Sequence, residues 1–338
     1  MKPHEKYKSL VKEFELRDGP EGLYPEPLFW MEGSKDMEGF EACYSFMYIK
    51  GPTQFHPVEG SVVHPYDELL VFAGLDTSDI LKFDAEISIE LGEGEDREVH
   101  TFTEPTVVLI PKGLAHGPVK VSRVGEPAIV HYSIGLSSEY KAAAVAQSGE
   151  AKAGGEKYAD NIRKLVSKRE SRDLANAVDE GSGMGYEEVM DERGVLRPAE
   201  RGIGPGNGDQ IVWLYGIDLM GMDVNFTWGM YSRTGKWHVG GEVHTHPEAE
   251  ILVFVGFDPD NPLCLGAEVD MGLGPEIDMY VLNKPGLYIA PKGFPHLPMI
   301  TRWCDVPAFG FMVVCLDGNH GSPWVEMDLD ALEASGQW

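Results

Sequence analysis

His244-Thr245-His246-Pro247-Glu248-Ala249-Glu250, followed by the apolar run Ile251 to Val255 and closed by Gly256, is the stretch that decides how the chain is read. In an extended strand alternate side chains share a face, so His244, His246 and Glu250 point to one side. Farther on, Pro291-Lys292-Gly293-Phe294-Pro295-His296 sets a Pro/Gly turn just before another histidine. Three neutral imidazoles and one carboxylate (His244, His246, His296 and Glu250) are thereby placed to converge on one cation.

The pattern occurs twice. "FHPVEGSVVHPYDELLVFAG" from Phe55 aligns without a gap on "WHVGGEVHTHPEAEILVFVG" from Trp237, so that His56 meets His238, His64 meets His246, Glu68 meets Glu250 and Gly74 meets Gly256. The register runs on through Ala85-Glu86-Ile87 against Ala267-Glu268-Val269. After a short gap it resumes with Pro111-Lys112-Gly113-Leu114-Ala115-His116 against Pro291 to His296. A repeat of this length is an internal duplication.

An HxH, three residues, Glu, five residues and Gly, with a later PxGxxH, resembles the two signature motifs of the cupin superfamily, and two copies resemble a bicupin. The resemblance covers roughly residues 40–136 and 222–318. It implies an all-β-dominated fold of two tandem double-stranded β-helix (jelly-roll) barrels. The expected division is an N-terminal extension at 1–39, barrel 1 at 40–140, a helical linker at 141–190, barrel 2 at 191–320 and a tail at 321–338. As a pair the motifs speak for fold and metal and say little about substrate.

The first copy departs from the motif at one place, because Val62 stands where the second has His244. The remaining His64, Glu68 and His116 form a weaker set, similar to a 2-His-1-carboxylate triad with open positions. His56 and His238, which recur in both copies, are candidates for a pocket or ligand role. His131 is a lesser candidate, since its counterpart is Phe311. His100, opposite Tyr280, and His4 and His320 near the ends need no functional reading. Lys112 and Lys292 share a turn position and read as solvated.

With 338 residues and 43% apolar composition the chain is long enough for about two globular domains. A net charge of −27, from 28 basic and 55 acidic residues, excludes a phosphate-backbone partner, which requires clustered Lys and Arg. No apolar run reaches the roughly 18 residues of a membrane span, and the charged start lacks a signal-peptide core. A soluble cytoplasmic protein without nucleic-acid or membrane partners is expected. The four cysteines (Cys43, Cys264, Cys304 and Cys315) lack CxxC spacing and read as reduced thiols.

Outside the repeats, residues 1–39 read as a short amphipathic start at Tyr7 to Phe14 and then irregular chain. Tyr44 to Tyr48 and Phe226 to Met230 alternate as strands, with aromatics on one face for a pocket wall or for sheet packing. Ile162, Leu165, Val166, Leu174, Ala177 and Val178 recur at helical spacing with Asp160 as N-cap, predicting a linker helix. The glycines of 181–188 and 201–210 read as loop, and Trp324 to Leu332 as a short acidic helix.

Histidine and carboxylate donors without thiolates suit Fe, Mn, Ni, Co, Cu or Zn as a divalent catalytic ion and do not choose among them. Because bicupins include oxygen-using enzymes on aromatic acids and dicarboxylates, the resemblance implies an oxidoreductase of dioxygenase type acting on a small organic acid or phenolic compound. A non-redox isomerase, decarboxylase or hydrolase using the metal as a Lewis acid is the alternative. A non-enzymatic ligand-binding bicupin, similar to seed-storage proteins, is the third reading, and the complete second donor set counts against it. The resemblance also implies homo-oligomers formed through sheet edges.

Overall fold

The computed structural model describes residues 5–147, 149–167, 189–197, 208–237, 243–305 and 308–318. The chain divides into two compact units, Glu15–Leu165 and Met1–Phe14 with Val166–Trp338. Among the described residues no helix is long and apolar enough to cross a membrane.

In the N-terminal unit one sheet runs in the order Ile162–Lys164, Thr106–Ile110, Glu68–Gly74, Ile129–Gly135, Cys43–Ile49, Leu28–Glu32, Leu16–Arg17. The other carries Ala143–Val145, Ser61–Val63, His116–Val124, Ala85–Leu91, Glu98–Phe102 and Lys152–Ala153, with Thr53–Phe55 paired to His116–Val124. Alternation explains the closure between them. Ala85, Ile87, Ile89 and Leu91 turn inward while Glu86, Ser88 and Glu90 are more exposed, and they share one core with Leu70, Phe72, Val108, Ile110 and Ile129 of the facing sheet. Each such valine, leucine, isoleucine or phenylalanine contributes roughly 1.5–3 kcal/mol by leaving water.

The C-terminal unit repeats this plan. Val11–Glu13, Gly286–Ala290, Glu250–Val255, Phe309–Cys315, Asn225–Tyr231, Gly208–Leu214, Leu196–Arg197 and Val189–Met190 form its larger sheet. Gly235–Lys236, His296–Cys304, Ala267–Leu273 and Asp278–Leu282 form the smaller. Trp237 bridges the two, packing edge-on against Phe254 and Phe311.

Tyr44, Phe46 and Tyr48 do not line the interior. Phe46 stacks on Phe29 and Tyr44 lies against Tyr132 of neighbouring strands, whereas Ser45 and Met47 take the inner face. Sheet packing accounts for these aromatics. All four cysteines are free thiols.

The structure replaces the first part of the expected linker helix with strand. Asp160 caps nothing; it belongs to the 3-10 turn Ala159–Asn161, and Ile162–Lys164 then pairs antiparallel with Thr106–Ile110. The unpaired backbone of that sheet edge outweighs a local helical spacing that a β-branched Ile162 supports only weakly. Gly208, at the end of the stretch 201–210 read as loop, instead begins the strand Gly208–Leu214, while Leu174, Ala177, Val178, the other glycines of 181–188 and 201–210, and the acidic tail lie outside the described residues.

The start of the chain is a second copy of this edge-closing segment. Tyr7 to Phe14 passes through a 3-10 turn, Lys8–Leu10, into the strand Val11–Glu13, which pairs with Gly286–Ala290. Backbone N–H groups of Phe14 and Leu165 donate to Pro285 and Pro105 at 2.8 Å each. Lys6 and Lys157 each sit over the ring of the following tyrosine. Even the flanking ion pairs correspond, with reversed sign: Glu13 with Lys284, and Lys164 with Glu104. The arm that precedes each barrel in sequence therefore closes an edge of the other one.

Phe14→Ala is expected to cost the C-terminal unit about 3–5 kcal/mol, and Leu165→Ala the N-terminal unit about 2–5 kcal/mol, because both side chains are buried at the closed edges. Pulse proteolysis with fragment mass spectrometry checks this, through earlier cleavage within 208–318 for the first variant and within 43–135 for the second.

Candidate metal centres

The expected donors do meet. In the C-terminal barrel, His244 pairs with His296 through reciprocal backbone hydrogen bonds of 3.2 Å, bringing the end of the HxH segment beside the start of the strand His296–Cys304. Ligand atoms of His244, His246 and His296 lie within 4.8 Å of one another. Glu250, the first residue of its strand, places Oε1 2.8 Å from His296 Nε2 and Oε2 3.5 Å from His246 Nε2.

In the N-terminal barrel the same pairing joins Val62 to His116, so the register of the duplication holds while the donor is missing. His56 supplies a replacement from another strand. It follows Thr53–Phe55, and ligand atoms of His56, His64, Glu68 and His116 gather within 4.8 Å. Their Nε2 atoms stand 3.0, 3.3 and 3.4 Å from Glu68 Oε2, in the order His56, His64, His116. Neighbouring donors on an octahedral ion with bonds of ~2.1 Å are about 3 Å apart, so the spacing fits.

His56 reaches this point from a left-handed backbone, φ 53°, which a non-glycine residue adopts at a cost of roughly 1–2 kcal/mol. Gly117 makes room for it. A Cβ there would lie 2.3 Å from the His56 carbonyl oxygen, and the corresponding residue of the other barrel is Leu297. His238, the counterpart of His56, lies outside the described residues.

Hydrogen bonding fixes the tautomers. Nδ1 of His64 donates to the Lys141 carbonyl at 2.7 Å and Nδ1 of His116 to that of Leu114 at 3.0 Å. Nδ1 of His246 and His296 donate to Glu248 and Phe294 carbonyls at 2.8 Å each. With the proton on Nδ1, Nε2 presents a lone pair inward, the form a cation binds. The turn before each last histidine is tied to the HxH strand, since Gly113 N–H donates to His64 O and Gly293 N–H to His246 O.

Electrostatics agree with a cation site. Burial would raise the Glu68 carboxyl, yet the imidazoles of His56, His64 and His116 gathered around it outweigh that and hold the group well below the carboxylate range. His246 and His296 do the same for Glu250 against its burial. Burial favours neutral His64 and His246, but the nearby Glu68 and Glu250 lift both above the ordinary imidazole value, while His116 is lowered by burial. The Nε2 atoms of His64, His116 and His296 are buried with no protein hydrogen-bond partner, an arrangement that costs about 1–3 kcal/mol each unless something accepts the lone pair. Two buried His/Glu sites fit for a divalent ion are therefore present.

His131 stays out of the donor set, and burial followed by His56 pushes its imidazole down to about 3. His100 is paired to Glu98 at 3.0 Å. Tyr24 is a residue the sequence does not announce. It lies in the Pro/Gly-punctuated N-terminal stretch, and its hydroxyl reaches Ser45 Oγ at 3.0 Å and His56 Nδ1 at 3.3 Å. Tyr66 and Tyr140 pack against His64; only their nearness in sequence to the first motif and its last strand hinted at this.

No family model matches the sequence, and no curated protein matches it. Among solved structures, a two-residue deletion mutant of Bacillus subtilis oxalate decarboxylase superposes with a TM-score of 0.52 at 9% identity, covering 96% of this chain and 83% of that one. A tryptophan-to-phenylalanine variant of that enzyme gives the same values. Its structure at pH 4.6 gives 0.51 at 9% identity, over 96% and 82%. The chain has the bicupin fold, two cupin barrels in tandem.

Reconstituted with Co(II), the full chain is expected to hold two ions, and His246→Ala with His296→Ala to hold one, by elemental analysis. Gly117→Ala, which changes no donor but crowds His56, is expected to weaken the barrel 1 ion about 10–100-fold in chelator competition.

Proposed function

We propose that this bicupin is a metal-dependent enzyme that decarboxylates a small carboxylic acid without net oxidation. His244, His246, Glu250 and His296 hold one ion and His56, His64, Glu68 and His116 the other. The observation that carries the reading is the pair of buried donor sets, each of imidazoles, which are neutral when they ligate an ion, closed by one ionised carboxylate. Such a set sums to −1, so a divalent ion leaves each site with a net positive charge, which selects an anion even inside a chain of net charge −27.

When bound, the ion supplies Lewis-acid charge and open positions for a substrate carboxylate. The protein holds the donors in register, through carbonyls on Nδ1 and turns pinned to the HxH strands, and keeps bulk water out with apolar walls. In the reaction one C–C bond breaks, CO2 leaves, and a proton takes its place on carbon. The electron pair stays with the product, so no oxidant is consumed.

The sequence alone favours dioxygenase chemistry. Likeness to oxalate decarboxylase structures supports the non-redox alternative instead, through a shared fold.

Incubation of the metal-loaded chain with a panel of mono- and dicarboxylates is expected to release CO2 without stoichiometric oxygen uptake. Glu68→Gln and Glu250→Gln should lose metal affinity by ~100-fold. Oxygen consumption equal to product would return the reading to an oxygenase, and a loaded chain inert toward the whole panel would remove the enzymatic reading.

A further inference from the structure

The duplication supplies an internal control for residues near the two donor sets, and among the described residues one inner strand differs in polarity between the copies. In Ile129–Gly135 the inward positions carry His131 and Ser133; the corresponding residues of the other barrel are Phe311 and Val313. Phe311 sits in an aromatic cluster with Trp237, Tyr231 and Phe254. The fold therefore does not require a polar group there.

His131 is fully buried, stacked on Phe72 and tilted against Phe55, with ring centroids 4.7 and 4.9 Å away. Its Nδ1 donates to the Val71 carbonyl at 3.1 Å, which makes Nε2 the lone-pair nitrogen. That atom is buried and has no protein partner. The ring lies 6.5 Å, centroid to centroid, from both His56 and Tyr24, so it borders the barrel 1 donor set without joining it.

The hydroxyls beside it are already engaged with one another. If His56 Nδ1–H donates to Tyr24 Oη, Tyr24 can donate to Ser45 Oγ, which stands 2.7 Å from Ser133 Oγ. In this chain Tyr24 accepts one hydrogen bond, Ser45 accepts two because the Ser133 N–H also donates to its Oγ at 3.2 Å, and each passes one on, which leaves no proton for His131 Nε2 from either. A buried acceptor in this position needs a donor from elsewhere.

We propose that barrel 1 holds, beside His56, His64, Glu68 and His116, a subsite for the hydroxyl group of a small hydroxy acid, with His131 Nε2 as its acceptor. The carboxylate lies toward the ion and the hydroxyl toward the strand Ile129–Gly135. Barrel 2, with Phe311 at that position, makes no such distinction. This inference rests on the metal-site assignment above and deepens it by naming the substrate class for one of the two barrels.

The test uses the full chain carrying His246→Ala and His296→Ala, loaded with Co(II) in barrel 1 and titrated with lactate and with propionate while the visible cobalt bands are followed. Lactate is expected to bind about tenfold tighter, the worth of one buried hydrogen bond. His131→Phe should erase that preference while leaving propionate affinity and cobalt content unchanged, and His131→Gln, which retains an acceptor, should keep part of it. Equal binding of the two acids before mutation, or a lactate preference that survives His131→Phe, overturns the subsite and leaves Nε2 to a buried water only. Failure of the metal assignment is separately visible, as a chain without cobalt bands before any acid is added, and that result also overturns the subsite. Should His131→Phe not fold, the comparison of His131→Gln with the unsubstituted residue decides.

Discussion

A carboxylate sealed among bare imidazole nitrogens is an expensive thing to build. Glu68 and Glu250 are both buried, and each is approached by the Nε2 atoms of more than one histidine, His56, His64 and His116 around the first and His246 and His296 around the second. Withdrawing a charge and several acceptors from water costs kilocalories, which only a cation or protons at the centre can return. The rest of each barrel follows from that demand. Two sheets must close around the point, the Nδ1 protons must be fixed by wall carbonyls, and the turn that delivers the last histidine must be bound to the strand that delivers the first ones.

The two barrels meet this demand by different routes. One keeps the HxH pair. The other has Val62 at that position and brings in His56 from the end of Thr53–Phe55, which pairs along the same edge of the strand His116–Val124 as Ser61–Val63, through a left-handed residue and a glycine that yields space. Coordination chemistry constrains where donor atoms end up and leaves free which backbone position sends them. A substitution at one ligand position thus does not by itself abolish a site. Around His56 the interior is also more polar, with Ser133 and His131 where the second copy has valine and phenylalanine, and with Tyr24 and Ser45 hydrogen-bonded beside them.

What was legible in the sequence is what depends on short-range rules. The even spacing put His64 with Glu68 and His246 with Glu250, and turn chemistry placed His116 and His296. The structure joins each His and Glu across a bend and not along one strand, the strands Glu68–Gly74 and Glu250–Val255 beginning only at the carboxylates. The position of His56 as a donor was visible only as a repeated histidine, because its approach depends on the space left by Gly117 in a neighbouring strand. The arms were misread for a different reason. Ile162, Leu165 and Val166 satisfy a helical spacing, and whether such a stretch helps to close a sheet is decided by an edge roughly fifty residues away in the chain. Lys6-Tyr7 and Lys157-Tyr158 were the available clue, too short to stand out as a repeat. Tyr24 had no local signal at all, since its contribution comes from where an irregular stretch happens to lay its ring.

The crossed arms carry a practical consequence. A single barrel cut from this chain with its preceding arm would carry the arm that closes the other barrel and would have to borrow the one that closes its own. Joining two copies in one polypeptide turns that loan into a tethered exchange, governed by the effective concentration of the tether. A fused gene of this kind resists being split back into halves, because each fragment would leave with the wrong leader.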